Sequence, residues 1–166
     1  MKTCIAYFSR EGNSKIAAQC LADKLNAEVL CLHTGKGYNG IFGFVLGGFM
    51  AGSVRCAKLN EKVYQQINAS ERVILVSPVW AGKVTPFVNS VLKKAELKGK
   101  SITVITLQAD PTLGGAESRA HDCEKMAVLA DAVFNGCYAL VGNGIKKHPM
   151  SIEKMKKQID EKVAIN

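Results

Sequence analysis

Thr3-Cys4-Ile5-Ala6-Tyr7-Phe8-Ser9-Arg10-Glu11-Gly12-Asn13-Ser14 is the stretch that decides the fold. Its first half, 3–8, is a short apolar run with no helical period, which reads as a buried strand. Its second half, 9–14, is a hydroxyl- and glycine-containing turn, and an amphipathic run begins at Ser14. A strand that hands over to a helix through such a turn makes an anion site. The first N–H groups of the helix have no intrahelical partner, and the helix dipole adds partial positive charge. Gly12 can take a positive φ and let the backbone wrap an oxyanion. Ser9, Asn13 and Ser14 are expected to add side-chain donors, and a phosphate is the natural ligand.

Outward from this turn, apolar and amphipathic runs alternate to the end of the chain. The runs 3–8, 28–33, 72–77, 102–107 and 133–141 are rich in Ile, Val, Leu, Cys and Ala, as parallel strands covered on both faces require. Helices are expected between them. Residues 14–25 place Ile16, Cys20, Leu21 and Leu25 on one stripe. Thr85-Pro86 reads as an N-cap with proline at the first helical position. Gly114-Gly115 opens a third helix, and Ser151 caps a last one with Ile152, Met155, Ile159 and Val163 turned inward. This alternation specifies an α/β fold, a doubly wound parallel sheet of five strands in one domain over 1–166. Ligands of such sheets lie at the carboxyl ends of the strands. The loops 9–14, 78–85 and 108–115 should therefore form the site.

The bulk numbers fit that plan. A chain of 166 residues, 48% hydrophobic and 22% charged, can bury a core of ordinary size. Six cysteines without a CxxC pair read as small core residues and suit a reducing, cytoplasmic setting. The net charge of +8 points to a solvated helix face or to an acidic or phosphorylated partner. No motif for nucleic acid accompanies it, so no nucleic-acid role is expected. The apolar segment 40–54 is too short to span a bilayer and contains four interior glycines, so no membrane role is expected either. A secretory leader is not legible at the N-terminus.

Two motifs in this order carry a resemblance to the flavodoxin family along essentially the whole length. Ile5–Ser14 resembles the family's flavin mononucleotide (FMN) phosphate loop. Ser77-Pro78-Val79-Trp80-Ala81-Gly82-Lys83-Val84-Thr85-Pro86 resembles its second flavin loop. The resemblance implies strand order 2-1-3-4-5, FMN as cofactor, and binding through Ser9, Arg10, Glu11, Gly12, Asn13 and Ser14. It further implies binding through Pro78, Val79, Trp80, Ala81 and Gly82, and through Gln108, Ala109, Asp110, Gly114 and Gly115 for the pyrimidine edge of the ring. Trp80, the one tryptophan, is suited to stack on the isoalloxazine, where an aromatic pair contributes about 0.5–1.5 kcal/mol beyond burial. Gly82 would leave room at the ring's N5 edge, and its peptide would turn as the flavin is reduced. Pro78 would stiffen the approach.

Three departures from the family matter. A hydroxyl residue usually stands where this chain has Glu11, whose carboxylate would repel a phosphate by about 1–3 kcal/mol unless it turned outward or paired with Arg10 or Lys15. The loop 108–115 has no aromatic to cover the outer flavin face, which favours an enzyme. Electron-carrier flavodoxins are typically acidic, and this chain is basic. The expected function is therefore an NAD(P)H-dependent reductase of quinone, flavin or another small acceptor. The alternatives are an electron carrier with a redox-protein partner and a fold of this kind that binds no flavin. No catalytic side chain is expected, since the chemistry would belong to the cofactor.

Other signals are weak. Gly35–Gly40 matches G-x-G-x-x-G but is not followed by the strand a dinucleotide fingerprint needs. Gly99-Lys100-Ser101 resembles the end of a nucleotide-binding loop, yet Lys94 stands where its first glycine should be. His121-Asp122-Cys123-Glu124 does not share one helix face, so no metal site is expected. The small-residue spacings Gly43/Gly47 and Gly48/Gly52, with Phe42, Phe44, Phe49 and Met50, suit packing on the sheet or a homodimer contact.

Overall fold

Thr3–Tyr7 form β1, and a central strand has no wet face, which is why its middle residues are all apolar. In the computed structural model, which describes residues 1–33, 48–144 and 148–165, Ile5 and Ala6 are fully buried. β1 pairs in parallel with β2 (Glu28–Cys31) on one side and β3 (Arg72–Trp80) on the other. β3 pairs with β5 (Ser101–Gln108), and β5 with β6 (Val133–Val141), again in parallel. The resulting order β2-β1-β3-β5-β6 is the expected 2-1-3-4-5 path. A sixth strand, the two-residue β4 (Lys83–Val84), pairs antiparallel with the end of β3 and was not expected.

Helices fill both faces. α1 (Asn13–Leu25) and α5 (Ile152–Lys162) lie on one side, over Ile5, Ile74, Val76, Ile105 and Leu107. The opposite side chains, Cys4, Ala6, Val73, Leu75, Ile102 and Val104, belong to a second core. That core takes Val63 and Ile67 from α2 (Glu61–Asn68), Phe87, Val88 and Val91 from α3 (Pro86–Lys94), and Cys123 from α4 (Ala116–Leu129). The period-2 alternation of each strand thus divides its apolar residues between two layers. Between β5 and β6 the register slips by one residue, and Gly136 sits there at φ +118°. This is a bulge of the kind that needs glycine.

The expected caps hold with one difference. Ser151 Oγ accepts from Lys154 N–H at 3.4 Å, but Thr85 spends its hydroxyl on Ser77 Oγ, 2.9 Å away, and makes no side-chain cap. All six cysteines are free. Burial pushes the Cys4 thiol up to about 11, as suits an inert core residue. No helix among the described residues is long and apolar enough to cross a membrane. The G-x-G-x-x-G match, Phe42, Phe44, Gly43 and Gly47 lie outside the described residues.

Candidate functional site

The three expected loops meet. A cleft of about 340 Å³ at the carboxyl ends of the strands is lined by Ser9, Arg10, Glu11, Asn13 and Ser14, by Pro78, Val79, Trp80 and Gly82, and by Gln108, Ala109, Asp110 and Gly114. Thirteen of the sixteen expected site residues are therefore brought together there. Gly12, Ala81 and Gly115 do not line it, and each serves the backbone instead. All three have positive φ, at +94°, +47° and +71°.

In the first loop, Gly12 is the N-cap of α1, and its N–H donates to Ser9 Oγ at 3.0 Å. The first helical bond runs from Ile16 N–H to Gly12 C=O, which leaves the Asn13, Ser14 and Lys15 N–H groups without an intrahelical acceptor. Glu11 is paired with Arg10, Nε to Oε1 at 3.4 Å, so its charge is countered within the loop. Asn13 departs from expectation. Its side chain is largely engaged elsewhere: Oδ1 accepts from Asn143 and Met150 N–H at 3.2 and 2.9 Å, and one Nδ2 hydrogen goes to Asn143 C=O at 3.0 Å, which leaves a single N–H for an anion. A carboxamide offers both a donor and an acceptor, and here it is used as a staple between α1 and the segment after β6. Gly12 fits under that segment: a Cβ there would lie 2.7 Å from Pro149 Cγ.

The second loop is a hairpin rather than an open loop. Val79 pairs with Val84 and Trp80 with Lys83, around a two-residue turn whose residues Ala81 and Gly82 both have positive φ. That is the turn geometry two-residue hairpins favour. A Cβ on Gly82 would meet nothing within 4 Å, so the turn's φ of +75° demands glycine here and space does not. Trp80 reaches the cleft with only 4% of its surface exposed. Its indole stands edge-on to Phe8 at 5.2 Å, and Phe8 stacks on Phe87 at 4.3 Å. The tryptophan is anchored in the core and shows the cleft a narrow part of itself.

In the third loop, Asp110 accepts from the Thr112 N–H at 2.9 Å and from the Thr112 hydroxyl. Those bonds hold its carboxyl below the ordinary carboxylate value. The loop is tied down by Arg119, which donates to Gly114 C=O at 3.0 Å and to Gln108 Oε1. The chain is similar to a Trp repressor binding protein from Bacillus subtilis, at 13% identity over 96% of this chain and 95% of that one, with a TM-score of 0.64. A WrbA-like flavodoxin from Agrobacterium tumefaciens gives 14%, 93%, 88% and 0.58, and a Streptococcus pneumonia flavodoxin gives 15%, 97%, 97% and 0.55. The chain has a flavodoxin-like fold. No family model matches the sequence, and no curated protein matches it either.

On this flavodoxin-like frame the cleft contains residues that sequence reading missed. Gly142, Asn143 and Gly144, just after β6, form a fourth wall. Gly142 is packed against Asn13, where a Cβ would meet Asn13 Cγ at 3.1 Å. The Gly-Asn-Gly run directly after a strand was a usable signal, since every strand end at this edge can contribute. Arg119 is the larger omission. It is 2% exposed, lines the cleft, and has no carboxylate partner among the described residues. Burial pushes its guanidinium below the ordinary value. Its signal was positional: Arg119 stands one turn into α4, near the positive end of the dipole, where a cation is unfavourable unless something compensates it.

Proposed function

We propose that this protein binds FMN and works as an NAD(P)H-dependent reductase of a quinone, a free flavin or another small acceptor. The observation that carries the reading is the convergence of the three loops on one cleft, with unsatisfied N–H groups at the start of α1. The donor set suits a phosphate at one end: the Ser14 and Lys15 N–H groups and the Ser9 and Ser14 hydroxyls, with Glu11 already neutralised by Arg10. At the other end, the main chain of 108–115 and the Arg119 guanidinium suit the polar edge of the ring. A cleft of about 340 Å³ is of a size for a mononucleotide.

FMN, when bound, supplies a carrier that accepts two electrons with a hydride and passes them on. The chain's own part is to hold the phosphate, orient the ring and keep its outer face accessible. Ser9–Ser14 would grip, the 79–84 hairpin would fix one flank, and Arg119 would hold 108–115 in place. The absence of an aromatic in 108–115 supports access by a small acceptor, and the +8 charge supports an anionic donor such as a phosphorylated nicotinamide. Six free thiols suit a cytoplasmic home. The competing reading, a carrier serving a redox protein, is favoured by the small single domain.

The test is anaerobic addition of NADPH or NADH to the FMN-loaded protein, followed by visible absorbance. A reductase loses its flavin colour within seconds to minutes, and a second addition of quinone restores it. Persistent colour under excess of both donors contradicts the enzyme reading and leaves the carrier.

A further inference from the structure

A second cavity of about 290 Å³ lies beside the cleft, between the β3–β4 hairpin, α3 and α4. Its walls are mainly apolar, including Val84, Cys123, Met126 and Leu129, while Lys83, Lys93 and Lys125 stand around it. Asp122 is its one acid, and that carboxylate is taken by Lys83 Nζ at 2.5 Å. Lys93 donates to Val54 C=O at 2.9 Å, which satisfies a donor but leaves its charge uncountered. Lys125 has no ion pair among the described residues. The cavity thus combines an apolar interior with a clear excess of positive charge.

Two of its lining residues also hold buried polar atoms without a protein partner. These are Asn89 Oδ1 on α3 and Arg119 Nε on α4. Buried polar atoms are nearly always satisfied, so each of these side chains keeps unused hydrogen-bonding capacity beside the cavity. Arg119 adds a further argument. It is a buried guanidinium near the positive end of a helix and is bonded only to neutral oxygens, Gly114 C=O and Gln108 Oε1. Burial and the helix dipole both disfavour its charge, and an anion nearby would offset both. The same residue lines the first cleft, so it forms part of the wall between the two spaces.

We propose that this second cavity binds a small organic anion with an apolar body, an aromatic or aliphatic carboxylate, whose acid group is held by Arg119 and Lys125. The apolar body lies against Val84, Met126 and Leu129. Arg119 then connects occupancy of this cavity with the geometry of 108–115, because the same guanidinium secures that loop. Binding here does not require FMN in the first cleft, although Arg119 couples the two spaces.

The probe is 2-naphthoate, with 2-naphthylmethanol as its uncharged counterpart, titrated into the full-length protein with and without FMN and followed by amide NMR shifts. Saturable shifts are expected at Val84, Cys123 and Met126, with naphthoate tighter than the alcohol by on the order of tenfold, the contribution of one charge-assisted contact. Lys125→Glu should weaken naphthoate about fivefold and leave the alcohol and FMN titrations unchanged. Met126→Trp should fill the cavity and abolish binding of both probes. Equal affinity for the two probes, indifference to Lys125→Glu, or shifts confined to Ser9, Gly82 and Gln108 would each overturn the proposal. Failure of FMN to bind would overturn the proposed function and leave this site standing.

Discussion

The first and third loops of the cleft each involve one arginine and one acid, and they use them in opposite ways. In 9–14, Arg10 and Glu11 face each other at 3.4 Å, so the pair adds little net field. In 108–115, Asp110 is exposed and bonded to Thr112, while Arg119 reaches in from α4 and meets only neutral oxygens. The positive field of the cleft therefore comes from the start of α1 and from Arg119. Arg10, the cation inside the recognisable motif, contributes least. The residues that make a loop look familiar and those that give it charge are different residues.

The largest effect that tests this contrast is removal of Arg119. Arg119→Met leaves Gly114 C=O and Gln108 Oε1 without their donor and should weaken FMN binding by about 1.5–3 kcal/mol, measured by flavin fluorescence titration. Unchanged affinity would break the comparison, since the third loop would then need no cation. Asn13→Ala removes three hydrogen bonds between α1 and the segment after β6 and should lower stability to urea by about 1–3 kcal/mol. A smaller cost would mean that the staple is not what holds 142–150 against the first loop. Glu11→Gln breaks the ion pair with Arg10 and removes one negative charge beside the phosphate end, so FMN should bind about 1 kcal/mol tighter. Looser binding would show that the pair is needed as a pair.

The smallest effect concerns pH. The Asp110 carboxyl is held below its ordinary value by Thr112, so its bonds favour the folded loop above the unfolded carboxylate value. That contribution should be lost only as pH falls through the lower folded value. Protection factors at Thr112 and Leu113, with exchange rates corrected for their intrinsic pH dependence, should stay constant above the ordinary carboxylate value and fall only below it. A loss of protection near neutrality would contradict the assignment.

Much of this architecture was legible in the sequence because parallel strands buried on both faces leave continuous apolar runs, as at 72–77 and 102–107. The turns at Gly12 and Gly115 were legible because only a few residues tolerate positive φ. β4 was not, since two residues carry no period, and its hairpin depends on Ala81 taking a conformation alanine rarely adopts. The second role of Asn13 was not legible, because a side-chain amide in a turn gives no hint of a partner 130 residues away in sequence. Trp80 was read from its loop position, whereas Phe8 and Phe87 draw it into the core. Consequently Trp80→Ala tests packing and ligand binding at once, and Trp80→Phe is the cleaner variant for the flavin question.

The most direct test of the account is a side-by-side titration of the protein with FMN and with riboflavin, which differ only in the phosphate. If the Ser9–Ser14 turn holds that group, FMN should bind tighter by on the order of a hundredfold, the contribution of several charge-assisted N–H bonds. Equal affinities, or no binding of either, would contradict the claim that this turn is a phosphate site.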